Sequence, residues 1–436
     1  MTADHIVKTV EAGKRTLLES TRSPPRHVVR KPRACYTLRM DSSEFEPSVL
    51  RWAREARFGP SIKALQAAWA ESWDEFSPND VEEWEKGVGQ PTFSQVRKLA
   101  DIYKRPLAVF FLSSPPDEKR NPPDLRTIGS QDNRLLSPEA LLVMRKARRT
   151  QEVAADLLSE LGEGPAFKYR QYSLQVDASA LADEIRQDLA ISLGEQFRSK
   201  TYEDFFEYLR GKIEGAGVVT LKSGLQDSFP TADCRAFSFA DQLPYLIMVN
   251  NKDTEGAKTF SLAHEFAHLL VREAGICNNF RSFSERRGVN PVEVFCNQFA
   301  ANFLVPTKEL SLHPSLKGIQ AIPPDQIDRT VAQLAGEFKV SRVVILRRLV
   351  TLGLVTHALY RAKTAAWSEE LPPPRKPGGR FSLSTAIKKN GAAFSSLVVE
   401  AYRRRKISYA AASDYLGLKT KHLSRFEKLI DSHATG

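Results

Sequence analysis

Ser261–Val271, SLAHEFAHLLV, is the stretch from which the fold of this 436-residue chain is read. It contains His264-Glu265-Phe266-Ala267-His268, the HExxH pattern. Two histidines four residues apart on a helix lie about 40° apart in projection, so both imidazoles leave one face. That face can offer two nitrogens to one Zn²⁺ at roughly 2.0–2.1 Å. Glu265 projects beside them, within reach of a water held at an open coordination position, from which it could take a proton. Leu262, Phe266, Leu269 and Leu270 recur at helical spacing and predict burial of the opposite side. Thr259 or Ser261 is placed to cap the start. The competing reading is an amphipathic helix with ordinary core or surface histidines, which the short motif does not by itself exclude.

A zinc site acting on a peptide bond needs a third protein ligand and an open fourth position. The longer HExxHxxGxxH form is absent: Val271 stands where its glycine would be and Ala274 where its third histidine would be. Glu273 is a poor third ligand, because its spacing from His264 puts it on the opposite side of the helix. The next suitable segment is Asn290–Pro306, NPVEVFCNQFAANFLVP. Val292, Phe295, Cys296, Phe299 and Phe303 form a helical apolar stripe, and Pro306 stops it. Glu293 is the one acid there. It fits two roles equally well on spacing: a metal ligand, or the capping-box acid behind an Asn290 cap and Pro291.

HEFAHLLV followed by Glu293-x-x-Cys-Asn-x-Phe-Ala-Ala-x-Phe-Leu-Val-Pro resembles the ImmA/IrrE family of metallo-endopeptidases. In that family HExxH supplies two ligands, and the Glu of a downstream ExxANxFAAxLLMP helix supplies the third. The resemblance, which spans most of Met40–Arg361, implies His264, His268 and Glu293 as zinc ligands and Glu265 as general base. Cys296, Phe303 and Val305 depart from the usual Ala, Leu and Met, at positions that are not proposed ligands. Tyr245–Asn250 reads as a buried strand shortly before the metal helix. The expected fold is α+β and mostly helical: a zincin-like peptidase core with a small twisted sheet and the HExxH helix, flanked by helix-turn-helix-like modules. A protein substrate is implied, typically a helix-turn-helix repressor in a stress-response or mobile-element circuit.

Composition sets bounds. The chain is 42% hydrophobic, enough for real cores, and no run approaches the ~18–20 apolar residues of a membrane span. The N-terminus lacks the apolar core of a secretory signal. Cys35, Cys234, Cys277 and Cys296 show no CxxC spacing and read as reduced thiols of a cytoplasmic protein. A redox switch at Cys277 or Cys296 is the minor alternative. The net charge of +11 is uneven. Residues 1–39 carry nine Lys/Arg against three acids, and residues 375–436 carry thirteen against four, so the middle is net acidic. The basic ends therefore say nothing about nucleic acid at the catalytic centre.

In chain order, residues 1–39 read as a disordered, dispensable basic extension, with Met1 and Met40 both open as translation starts. Residues 40–113 form a helical module whose WEKG…PTFSQVRKLA run resembles a Cro/repressor-type helix-turn-helix, as in the N-terminal half of many ImmA/IrrE proteins. Asp80, Glu82, Glu83 and Glu85 against Lys86 disfavour DNA on that helix and suit a structural or protein-docking role. Residues 114–165 read as a Pro-rich linker and a connecting helix over 137–161. The metallopeptidase domain spans 166–365. Within it, Phe167–Tyr172 and Val218–Leu221 are expected strands, and Cys234–Phe239 pairs with Tyr245–Asn250. Ala178–Leu193 and Tyr202–Glu214 are expected helices, the latter with a Thr201–Asp204 capping box. Ile327–Phe338 and Ser341–Leu352 are two more helices, resembling a winged-helix fragment. A linker follows at 366–388 and a basic helical module at 389–436. That module is the better nucleic-acid candidate, through Arg403–Lys406, Lys419, Lys421, His422, Arg425 and Lys428; a solvated tail docked on its own domain is the alternative.

Three functional classes remain: a zinc endopeptidase, a regulator that works by binding with an idle zinc site, and a direct DNA-binding repressor or antitoxin. Tyr245–Asn250 is the expected edge strand for pairing with an extended substrate.

Overall fold

The computed structural model describes residues 45–67, 69, 75–116, 136–224, 229–231, 233–272, 276–277, 290–319, 323, 327–369 and 382–434. The extension at 1–39, most of the first linker, Glu273, Ala274 and the LPPPRKPGG stretch fall outside them.

Among the described residues, the first α-helices are α1 (Pro47–Phe58), α2 (Ile62–Ala67), α3 (Pro78–Glu85) and α4 (Phe93–Tyr103). Ser77 and Thr92 cap the last two through capping boxes with Asp80 and Gln95, which satisfy first-turn amides. Leu50, Val81, Trp84, Leu99, Tyr103 and Phe110 lie in their shared core. The acidic stretch is largely spent internally. Glu85 is buried and takes the Arg54 guanidinium at 2.7 and 2.9 Å. Asp80 serves the cap, Glu82 pairs with Lys86 at 2.7 Å, and Glu83 is exposed.

After α5 (Pro138–Glu160), the chain crosses Phe167–Tyr172, which is not the expected strand. Lys168 N–H bonds the Ala216 carbonyl and Tyr172 N–H bonds the Leu270 carbonyl, two separate elements, so no ladder forms. Its apolar pattern serves ring packing: Phe167 lies 5.2 Å from Tyr245 and Tyr169 lies 6.0 Å from Phe266 between centroids. The helix expected over Ala178–Leu193 is two, α6 (Ala178–Asp188) and α7 (Leu193–Arg198). Ala190 takes φ 51°, a left-handed conformation that ends the first. α8 (Tyr202–Glu214) carries the expected Thr201–Asp204 capping box.

Among the described residues the sheet comprises β1 (Val218–Lys222), β2 (Ala236–Phe239), β3 (Tyr245–Val249) and the short segment β4 (Ile276–Cys277). The order is β1-β3-β2-β4. β3 pairs in parallel with β1, Val218 opposite Tyr245, and antiparallel with β2, Phe239 opposite Leu246. It is therefore a central strand and has no edge to offer a substrate, which corrects the expectation placed on it. Its unbroken apolar run is what a strand covered on both faces requires. Tyr245, Ile247 and Val249 enter one core, and Leu246 and Met248 the other.

The first core is built on α9 (Glu255–Val271) and α10 (Pro291–Leu304), with α6, α8 and three later helices: α11 (Thr307–Ser311), α12 (Ile327–Phe338) and α13 (Arg342–Thr351). α9 starts earlier than expected, at a Thr254 N-cap. Thr259 and Ser261 lie inside the helix, and the Thr259 hydroxyl donates back to the Glu255 carbonyl at 3.3 Å. At Gly256 an added Cβ would sit 2.8 Å from Ser341 N and 2.9 Å from Val340 C. The start of α9 thus lies directly on the α12–α13 turn. α14 (His357–Glu369) follows.

The other sheet face is covered by α5 and by α15 (Leu383–Asn390), α16 (Ala392–Arg403), α17 (Tyr409–Leu416) and α18 (Leu423–Ala434). Phe394, Val398, Leu423 and Phe426 share a core with Phe237, Phe239, Leu246 and Met248. A buried polar knot ties this segment to β1. Arg210 donates to the Lys388 carbonyl at 2.6 Å and to the Thr220 carbonyl, and Glu214 accepts the Ala393 N–H at 3.0 Å. Gly391, at φ +83°, closes the knot; a Cβ there would lie 2.7 Å from the Thr220 carbonyl oxygen. No helix among the described residues is long and apolar enough to cross a membrane.

Candidate metal centre

α9 is buried along almost its whole length because it lies between the sheet and α10. His264 and His268 leave its one face toward α10, with Nε2 atoms 3.1 Å apart. α10 begins at Asn290, whose side chain accepts the Val292 N–H at 2.9 Å, with Pro291 in the first turn. Glu293, one turn in, directs its carboxylate at the two imidazoles: Oε2 is 3.4 Å from His264 Nε2 and Oε1 is 3.3 Å from His268 Nε2. The structure brings together all three residues named from the sequence, and all three are buried.

The triangle has the dimensions of a metal cradle. Three vertices of a tetrahedron with bonds of roughly 2.0–2.1 Å are about 3.3 Å apart. The two Nε2 atoms are 3.1 Å apart, and the carboxylate reaches one imidazole through each oxygen, Oε2 at 3.4 Å from His264 and Oε1 at 3.3 Å from His268, so the three groups stand at about that spacing. Two imidazoles and a carboxylate are also a donor set that zinc accepts. Burial opposes ionisation of Glu293, but the hydrogen bonds and charge of His264 and His268 outweigh it and hold the carboxyl well below its usual range. Among the described residues, no other group of three or more His, Cys, Asp or Glu comes together in this way.

Glu265 lies beside the triangle on α9, fully buried. Its Oε2 accepts a hydrogen bond of 2.7 Å from Ser238 Oγ on β2. Sequence reading missed Ser238. The available signal was a lone hydroxyl in the buried run Ala-Phe-Ser-Phe, since a buried polar group needs a partner. Asn297, one turn beyond Glu293, is fully buried with both amide atoms lacking partners among the described residues, as does His264 Nδ1. Cys234 and Cys296 are buried thiols; Cys296 lies on the Glu293 helix.

A buried His-His-Glu cradle beside a carboxylate is the arrangement of a metal-dependent hydrolase. Residues 216–350 match the Peptidase_M78 family, described as an IrrE N-terminal-like domain. The match begins just before β1, ends in α13, and contains Ser238, His264, Glu265, His268 and Glu293. It supports a metallopeptidase-type function and the ImmA/IrrE resemblance of the central part of the chain. None of the curated proteins matches this chain.

Proposed function

We propose that the chain is a zinc-dependent endopeptidase acting on a repressor-type regulatory protein in the cytoplasm. The observation that carries this reading is the cradle of His264, His268 and Glu293 with Glu265 at its side. His264 and His268 would hold the metal through Nε2, and Glu293 through its carboxylate. A zinc ion held there would supply Lewis acidity toward the scissile carbonyl and the attacking water. Glu265 takes the proton of the attacking water and passes it to the leaving amine. Ser238 holds one oxygen of Glu265, so the carboxylate keeps one direction through both transfers. The buried site makes these charges act through a low dielectric. The family resemblance supports a helix-turn-helix repressor as substrate, and cysteines without paired spacing support a reducing compartment.

The test mixes zinc-loaded protein with repressor-like products of neighbouring genes and looks for one cut. Glu265→Gln should keep the metal and lose turnover by about 10²–10⁴-fold. Unchanged cleavage in that variant would sink the mechanism. Binding of the repressor without any cut, in both forms, would favour a regulator with an idle zinc site.

A further inference from the structure

The last two helices form a unit that the metal centre does not use. α17 runs Tyr409–Leu416, Gly417 takes the left-handed conformation at φ 64°, and a 3-10 turn at Thr420–His422 leads into α18. The connection, Gly417–His422, contains a glycine and joins two packed helices, which resembles a helix-turn-helix. Ala412, Leu416, Leu418, Leu423, Phe426 and Ile430 are buried and give the pair one common inner face.

The outer face is of one chemical kind. Lys419, Thr420, Lys421, Ser424, Arg425 and Lys428 are exposed along the approach and the N-terminal half of α18. Among the described residues, Lys419, Lys421, Arg425 and Lys428 have no ion-pair partner. In the Arg403–Lys406 run, Arg403 is taken by Asp431 at 2.8 Å and Glu427 at 3.6 Å and Arg404 by Glu400 at 2.6 Å, whereas Arg405 and Lys406 are exposed without an ion-pair partner among the described residues. The two acids of α18, Glu427 and Asp431, both face Arg403; Glu427 lies in the N-terminal half, between Arg425 and Lys428, and Asp431 in the far half. Asp414 on α17 is exposed and lies 3.7 Å from Arg149. On this face Lys421, Arg425 and Lys428 are exposed without an ion-pair partner among the described residues, while Glu427 between them is half-buried and turned to Arg403.

We infer that α17–α18 is a duplex-DNA reader, with the N-terminal half of α18 entering the major groove. The lysines suit phosphates, whose neutralisation drives binding by counterion release. Arg425 and Ser424 are on the face where a recognition helix contacts base edges. The unit packs on the sheet face opposite α9, so duplex binding and the metal centre do not compete for space. The inference goes beyond the peptidase reading and does not depend on it.

The experiment uses the full chain and a labelled random-sequence duplex of about 30 base pairs, roughly three helical turns. Anisotropy is followed from about 50 to 200 mM salt. The expected result is binding that weakens steeply with salt. Lys421→Gln, Arg425→Gln and Lys428→Gln together should weaken it at least ~10-fold and lower the salt slope by about 0.9 for each phosphate contact removed. Arg404→Gln, a charge loss at a paired cation, should bind as the parent does. Unaltered melting and metal content keep a folding defect out of the comparison. Three outcomes overturn the inference: no duplex binding at the lowest salt, a triple variant that binds as the parent does, or an equal loss in Arg404→Gln. The last would assign binding to bulk charge. Preference for an acidic protein or single-stranded RNA over duplex would also overturn it.

Discussion

Ser238 Oγ donates a hydrogen bond of 2.7 Å to Glu265 Oε2, and neither side chain has any solvent exposure. The bond ties the centre of β2 to the motif helix. A carboxylate that must accept and release a proton gains from being fixed in direction, since misplacement lowers rate without changing binding. On the proposed mechanism, Ser238 is a positioning residue for Glu265.

Ser238→Ala should lower kcat about 10–100-fold with little change in KM and with full metal content. Ser238→Thr, which keeps the hydroxyl, should recover most of the rate. Steady-state kinetics with metal analysis decides; an Ala variant with parental kcat removes the role.

One metal per chain is expected in the purified protein. His264→Ala or His268→Ala should abolish binding, because two donors remain at a site sized for three. Glu293→Ala should weaken it strongly. Full occupancy in Glu293→Ala, read by atomic absorption, would return that residue to a helix-capping role.

Gly256→Ala tests the contact between α9 and the α12–α13 turn. The added Cβ meets backbone atoms at 2.8 and 2.9 Å, which cannot yield as a flexible side chain would. Overpacking of this kind costs about 1–3 kcal/mol. Denaturant unfolding should show that loss. An unchanged midpoint would mean the two segments part easily.

Ending the chain before Leu383 should expose the sheet face bearing Phe237, Phe239, Leu246 and Met248 and leave Arg210 without the Lys388 carbonyl. The truncated protein is expected to aggregate or to melt far below the full chain. A soluble truncation with parental melting would show that α15–α18 add nothing to the catalytic body.

Deleting residues 40–112 is expected to impair repressor cleavage more than hydrolysis of a short peptide with the same bond. The acids of α3 are mostly engaged within the module, so docking would draw on Glu83 and the exposed Val88 and Phe93. Equal loss on both substrates assigns the module to folding alone.

The sequence by itself determined the local chemistry. Helical spacing put His264 and His268 on one face, and apolar periodicity placed α9, α10 and the buried β3. Capping residues gave α8 and the turns before α3 and α13. These are short-range matters, fixed by residues within a few positions of one another. Only the tertiary structure decided what depends on distant segments. It turned Glu293 from one of two equal roles into the third vertex beside the imidazoles, because the packing of α9 on α10 sets that distance. Packing made β3 central, since pairing partners are not written in a strand's own residues. It brought Ser238 to Glu265, and it kept Phe167–Tyr172 out of the sheet by using its rings elsewhere. The C-terminal helices show the same division. Their spacing and charge were legible, but the core that fixes their outward cations is shared with a sheet more than a hundred residues earlier in the chain.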